Sequence, residues 1–301
     1  MGVVNRRLLT ILTTVAAASL AAGCSTLDND NVATVGDATL TEAQLAEIVP
    51  LVGGTPDAPA VDQANVDRTA ISVWLEAQVF TQAFAAGGVV LDPAAIDQST
   101  QGLNAQFGEQ FTSLDPGTRD LLVEYVTVID QLPTLPRPPE SEVRAWFNGG
   151  PETSGLGCVS HILVETEAEA QTIVDELAAA SSEQDEAELF ATIATERSTD
   201  PGSGAAGGFL TCEVSATIAE QFVPPFAAAA LTARPGVPTE PVESDFGFHV
   251  LRLLPYDEAT AELEAFYAQG YVQARIAIDG ADVSVDSRYG IVDGVNVVAP
   301  I

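Results

Sequence analysis

Ser160-His161-Ile162-Leu163-Val164 and Phe246-Gly247-Phe248-His249-Val250 contain both histidines of this 301-residue chain. Each histidine sits in a short apolar run. Between them lie Ser198-Thr199-Asp200-Pro201-Gly202-Ser203 and then Gly207-Gly208-Phe209-Leu210. A lone histidine in an apolar segment is more often a hydrogen-bonded core residue than a catalyst. With both histidines in such segments, and an acid-bearing turn and a glycine pair between them, that balance shifts.

The surrounding pattern gives the local elements. Thr166-Glu167-Ala168-Glu169 is a capping box, so a helix is expected there, with Ile173, Val174 and Leu177 inward. A second helix, about 185–197, buries Leu189, Phe190 and Ile193. The order is strand, helix, helix, glycine-rich loop, strand, short helix, strand.

That order, with the two histidines, resembles the parvulin family of peptidyl-prolyl isomerases over residues 155–256. The resemblance implies an α+β fold in which a small antiparallel or mixed sheet is flanked by helices. His161 matches the first family histidine and His249 the second. Asp200 falls where parvulins carry an aspartate or cysteine, and Ser244 on a Ser/Thr position. The four would form a polar network behind a proline pocket walled by Phe222, Phe226 and Phe248. The network would orient and tune the site rather than act covalently, and the family uses no cofactor or metal. The chemistry needs none. An X–Pro rotation faces a barrier of about 18–20 kcal/mol set by amide resonance. Catalysing it means favouring the twisted amide in an apolar site with placed donors.

Three departures stand out. The family's Gly-Gly-Asp-Leu-Gly reads Gly207-Gly208-Phe209-Leu210-Thr211, so a reshaped turn is expected. Phe222 replaces a Met or Leu. Glu165-Thr166-Glu167 stands where phosphate-directed parvulins place cations, so phosphoserine before proline is disfavoured and neutral or basic residues are expected. Phe222 and the altered turn also suit a second reading, a non-catalytic chaperone or peptide-binding module. A hydrolase is not supported: there is no Gly-x-Ser-x-Gly elbow and no His-Glu-x-x-His motif.

The first 23 residues read as a signal peptide, with Arg6 and Arg7 before the apolar run Leu8–Ala22. Leu20-Ala21-Ala22-Gly23-Cys24 resembles the bacterial lipobox. It implies a lipidated Cys24, a tether over 24–31, and a place outside the cytoplasm, anchored to the cell membrane through Cys24 only. The alternative is an ordinary secretory signal with a chance cysteine. Two cysteines then remain, Cys158 and Cys212. In an exported chain an even pair suggests a disulfide, and the parvulin resemblance puts both segments in one sheet. The alternative is two buried thiols.

The rest of the chain is organised around this segment. Val32–Leu40 reads as a hairpin turning at Gly36-Asp37, and Thr41-Glu42-Ala43-Gln44 as a capping box. Helices are expected over about 64–86, 93–107 and 116–131, the last two opened by Asp92-Pro93 and Asp115-Pro116. This order resembles the N-terminal chaperone segment of SurA- and PrsA-type foldases, and makes 32–138 a mainly helical domain. Leu132–Pro139, with four prolines, is expected to be a stiff linker. A linker helix and loop occupy 139–154. Residues 257–277 read as a helix, and 283–301 as an extended hairpin or strand pair. In SurA-type foldases the C-terminal segment (here 257–301) returns to the N-terminal domain.

Net charge is −32, and all eleven basic residues are arginine. Such a chain cannot cluster the cations that nucleic acid requires. The partners implied are unfolded or partly folded secreted polypeptides with X–Pro bonds.

Overall fold

The computed structural model describes residues 30–52 and 60–299. Cys24, the signal segment and most of the tether lie outside them. The chain forms two compact units. One holds Pro139–Ala265; the other combines the described residues up to Pro138 with those from Phe266 onward.

In the inserted unit, four antiparallel strands lie in the order β4-β3-β6-β5: β3 is Leu156–Val164, β4 Phe209–Val214, β5 Val242–Ser244 and β6 Gly247–Leu253. Strand side chains alternate between faces, and this sheet is covered on both. Ile162, Val164 and Val250 pack on the helices Glu167–Ala178 and Glu183–Arg197 through Ile173, Leu177 and Phe190. Val159, Leu251 and Leu253 face the other way, onto Ile218, Phe226 and Ala230 of the helices Ser215–Gln221 and Pro224–Thr232. Thr166 and Ser182 cap the first two helices, each accepting from the backbone N–H three residues on. Cys158 and Cys212 are opposed in the β3–β4 register and joined by a disulfide. On the Ile162 face, Arg252 of β6 is buried between Glu186 and Glu258, which takes its guanidinium in a fork. The helix Glu140–Asn148, expected as part of a linker, belongs to this unit.

In the other unit the hairpin forms as β1 (Asn31–Val35) and β2 (Ala38–Thr41), and Thr41 and Gln44 make a full capping box. Its core lies between this sheet and the long helix Ala60–Ala86, around Ile71, Trp74, Leu75 and Phe80. Each such side chain, fully buried, contributes roughly 1.5–3 kcal/mol.

Three features go beyond the sequence pattern. The stiff segment Leu132–Pro139 is also packed. Leu132 and Leu135 are buried in the same core as Trp74, and the prolines stiffen a turn of 3-10 helix and the extended chain after it. The helix over 257–277 is two, Tyr256–Ala268 and Tyr271–Asp279. Gly270 breaks it with φ +75°, where a Cβ would come within 2.6 Å of the Leu132 carbonyl carbon and Cβ. The C-terminal stretch holds the expected strand pair, β8 (Ile291–Asp293) with β9 (Asn296–Val298), and a further strand before it, β7 (Val283–Val285), which pairs with β1. Among the described residues, no helix is long and apolar enough to cross a membrane.

Candidate active site

The β3–β6 register sets Leu251 opposite His161 and His249 opposite Leu163. The two histidines are therefore diagonal neighbours on one face. Both are buried, and their Nδ1 atoms lie 3.0 Å apart.

The loop that follows the Glu183–Arg197 helix supplies the acid. It is tied to β3 by Leu163 N–H donating to Ser198 Oγ and by Thr199 N–H donating to Leu163 O. Its far end returns through Gly208, whose carbonyl accepts from His161 N–H at 2.9 Å. Gly207 and Gly208 both have positive φ, and a Cβ on Gly208 would lie 2.5 Å from the His161 carbonyl oxygen. The turn thus needs glycine whatever follows it, and Phe209 and Thr211 continue directly as β4. Held this way, Asp200 Oδ2 lies 2.9 Å from His161 Nε2. Ser203 Oγ lies 3.0 Å from the same nitrogen and donates to Asp200 Oδ2. At the other end Ser244 Oγ is 2.7 Å from His249 Nε2 and accepts from Phe246 N–H at 3.1 Å.

These bonds set the electrostatics. The Ser203 hydroxyl, then His161, hold the Asp200 carboxyl well below the usual carboxylate range. Burial, then the neighbouring His161, push His249 down to about 4, so its imidazole is neutral at neutral pH.

The apolar wall beside this network is aromatic. Phe226 stands edge-on to both imidazoles, 5.6 Å from His161 and 5.1 Å from His249 between ring centroids. Phe222 stacks on Phe226 at 4.7 Å. Phe248 does not join them. As the neighbour of His249 on β6 it points to the opposite face and packs against the core around Ile173 and Phe190, which corrects the expectation of a third wall residue. His161, Asp200, Ser244, His249, Phe222 and Phe226 thus come together, Phe248 is excluded, and Ser203 is added. Ser203 is fully within the turn read from sequence. Its spacing three residues after Asp200 was the available signal, but a turn serine carries no mark of burial. Among the described residues no group of three or more His, Cys, Asp or Glu could hold a metal ion.

The chain is similar to known proteins over this segment. Residues 161–254 match the family model described as "Rotamase: PPIC-type PPIASE domain". The chain is 35% identical over 113 residues to the foldase protein PrsA of Clostridium botulinum strain Okra, covering 38% of this chain and 30% of that protein. It is 31% identical over 144 residues to foldase protein PrsA 4 of Bacillus cereus, covering 43% and 48%. The solution structure of NmPin, the parvuline of Nitrosopumilus maritimus, is similar at 31% identity, covering 34% of this chain and 97% of that one, with a TM-score of 0.28. The chain spans between 30% and 48% of the length of these two curated relatives. It carries a PPIC-type parvulin peptidyl-prolyl isomerase domain, and its relatives include foldases of the PrsA type.

Proposed function

We propose that this protein is a peptidyl-prolyl cis-trans isomerase that acts as a foldase on exported polypeptides. The observation that carries the proposal is the placement of Phe226 edge-on to both His161 and His249, beside Phe222. A proline ring laid against these phenyl groups would bring its imide bond to the edge of a buried polar network.

The reaction breaks no σ bond and moves no proton to a final acceptor, so the task is to lower a rotational barrier of about 18–20 kcal/mol. Every 1.36 kcal/mol removed is tenfold in rate. Apolar walls strip water from the imide, and a carbonyl that has lost hydration is easier to twist out of conjugation. The network makes this possible by being satisfied within itself. Asp200, Ser203, His161, His249 and Ser244 pair with one another, so the pocket floor stays rigid. His161, Asp200, Ser244 and His249 orient and tune; Phe222 and Phe226 touch substrate.

The residues around 165–167 are acidic, so neutral or cationic side chains before proline are the substrates of choice. We further propose that Cys24 carries a lipid and holds the protein at the outer face of the cell membrane, on the strength of the Leu20–Cys24 motif. Residues 32–138 and 257–301 would then cradle unfolded clients.

The test is X–Pro exchange measured by NMR on short peptides with Ala, Arg or phosphoserine before proline, using residues 25–301. Acceleration that falls sharply in His249→Ala supports isomerase activity. A folded sample that accelerates no peptide leaves a parvulin-shaped chaperone instead.

A further inference from the structure

We propose that Ser203 is a positioning residue that, together with Asp200, fixes the direction of every hydrogen bond in the His161–His249 network. The proposal deepens the isomerase reading but is tested without using turnover.

Ser203 is buried, and its hydroxyl has a single proton. The Asp200 carboxylate can only accept, so that proton goes to Asp200 Oδ2. Ser203 Oγ then presents lone pairs to His161 Nε2 at 3.0 Å, and Asp200 Oδ2 does the same at 2.9 Å. Two acceptors on one ring nitrogen require that nitrogen to be N–H. In the neutral ring His161 Nδ1 is then bare, and across 3.0 Å it accepts from His249 Nδ1–H. His249 Nε2 is left bare in turn and accepts from Ser244 O–H. Ser244 Oγ, its proton committed, accepts from Phe246 N–H at the tip of the β5–β6 hairpin. The polarity therefore runs without a break from the Asp200 loop to the hairpin tip.

Ser203 also keeps Asp200 in place by other routes. Its own N–H donates to Asp200 Oδ2 at 3.2 Å, and its carbonyl accepts from Gly208 N–H, the residue that binds the His161 backbone. Removing the hydroxyl deletes one of the two acceptors at Nε2 and a donor on the carboxylate. Without it Asp200 keeps, besides His161, only the backbone N–H groups of Gly202 and Ser203 as donors, and the preference of His161 Nε2 for its proton rests on one acceptor.

The imidazole nitrogen shifts report tautomers directly, so two-bond ¹H–¹⁵N spectra of the 25–301 protein decide the matter. The expected wild-type pattern is protonated Nε2 on His161 and protonated Nδ1 on His249, each favoured by about tenfold or more, as a charge-assisted hydrogen bond implies. In Ser203→Ala both rings move towards a mixture. Ser203→Thr, which keeps the hydroxyl, retains the wild-type pattern. Asp200→Asn offers a donor to Nε2 and is expected to reverse both rings, so it carries the test if Ser203→Ala does not fold. Wild-type shifts persisting in a folded Ser203→Ala protein, or the opposite tautomers in the wild type, would overturn the proposal. A protein inactive on every peptide but with these shifts would sink the isomerase reading and leave this one standing.

Discussion

His161 and His249 meet Nδ1 to Nδ1 at 3.0 Å, and a contact of that kind has room for one proton. A second proton there would set two N–H groups against each other in a buried site. The acid limit of the network lies in His249, pushed down to about 4 by burial and by His161. Isomerase activity on a peptide without titratable groups is expected to be flat from pH 8 to about 5 and to fall as pH approaches 4. Stability follows the same sign. An unfolded histidine takes up its proton near pH 6.5 while the folded one does not. The unfolded state thus binds more protons between about 6.5 and 4, and stability drops as pH falls through that window. Asp200, held low, adds a further loss only below the ordinary carboxylate range, about 3.9. Urea unfolding at several pH values checks both.

Glu76 in the other unit carries the opposite sign. It is buried on the Ala60–Ala86 helix, accepts from Tyr125 O–H at 2.8 Å, and burial pushes it up to about 7. Between its unfolded value, near 4.3, and 7 the folded state binds more protons, so stability falls as pH rises through that window. Glu76→Gln keeps an acceptor for Tyr125 and is expected to remove this dependence, gaining stability at pH 8 but little at pH 5. Thermal melts of both proteins at the two pH values measure it.

Phe222 and Phe226 differ in burial, so their substitutions separate binding from folding. Phe226 is fully buried, and Phe226→Ala is expected to cost about 3–5 kcal/mol of stability. Phe222 is only partly buried. Phe222→Ala is expected to leave the fold intact and raise KM several-fold with little change in kcat, the signature of lost uniform binding. Saturation curves from NMR exchange distinguish the two.

Gly208 sets a covalent limit on the site. Its φ is +88°, and an added Cβ would come 2.5 Å from the carbonyl oxygen of His161 itself. Gly208→Ala is expected to destabilise by about 1–3 kcal/mol and to lower activity, because the atom that must yield belongs to the histidine's own backbone. Gly247→Ala provides a comparison: there the Cβ would meet Val164 O at 2.5 Å, beside β5 and Ser244.

Reduction of Cys158–Cys212 opens a loop of 54 residues' separation containing both the acid-bearing turn and two helices. The chain-entropy model gives about 4 kcal/mol for such a loop. Urea midpoints of the reduced wild type and of the Cys158→Ala, Cys212→Ala double variant are expected to agree with each other and to fall below that of the oxidised wild type.

Much of the site was legible because its parts are scarce. With only His161 and His249 to place, the sequence order of strands and the acid between them left few arrangements. Asp92, Asp115, Thr41 and Thr166 announce helix starts by local chemistry, and the structure uses each as a cap. What failed depended on tertiary partners. Phe248 looks like a pocket residue by adjacency, but strand alternation turns it away from His249. Leu132 and Leu135 are hidden among prolines, and their burial depends on a core built by Trp74 and Phe80. Gly270 splits a helix whose apolar spacing continues past it, because Leu132 sits where a side chain would go.

The pairing of Ala33 with Val285 ties the first described strand of the chain to one near its C-terminal end, with the whole parvulin unit between them in sequence. A chain emerging from a translocation pore amino end first would present β1 and β2 long before β7 exists. The inserted unit, whose strands and disulfide are all internal to Pro139–Ala265, can close while the outer unit still waits with an open sheet edge. The protein that we propose assists the folding of other exported chains would itself be assembled from the inside out, with β7 arriving late to close the sheet that β1 begins.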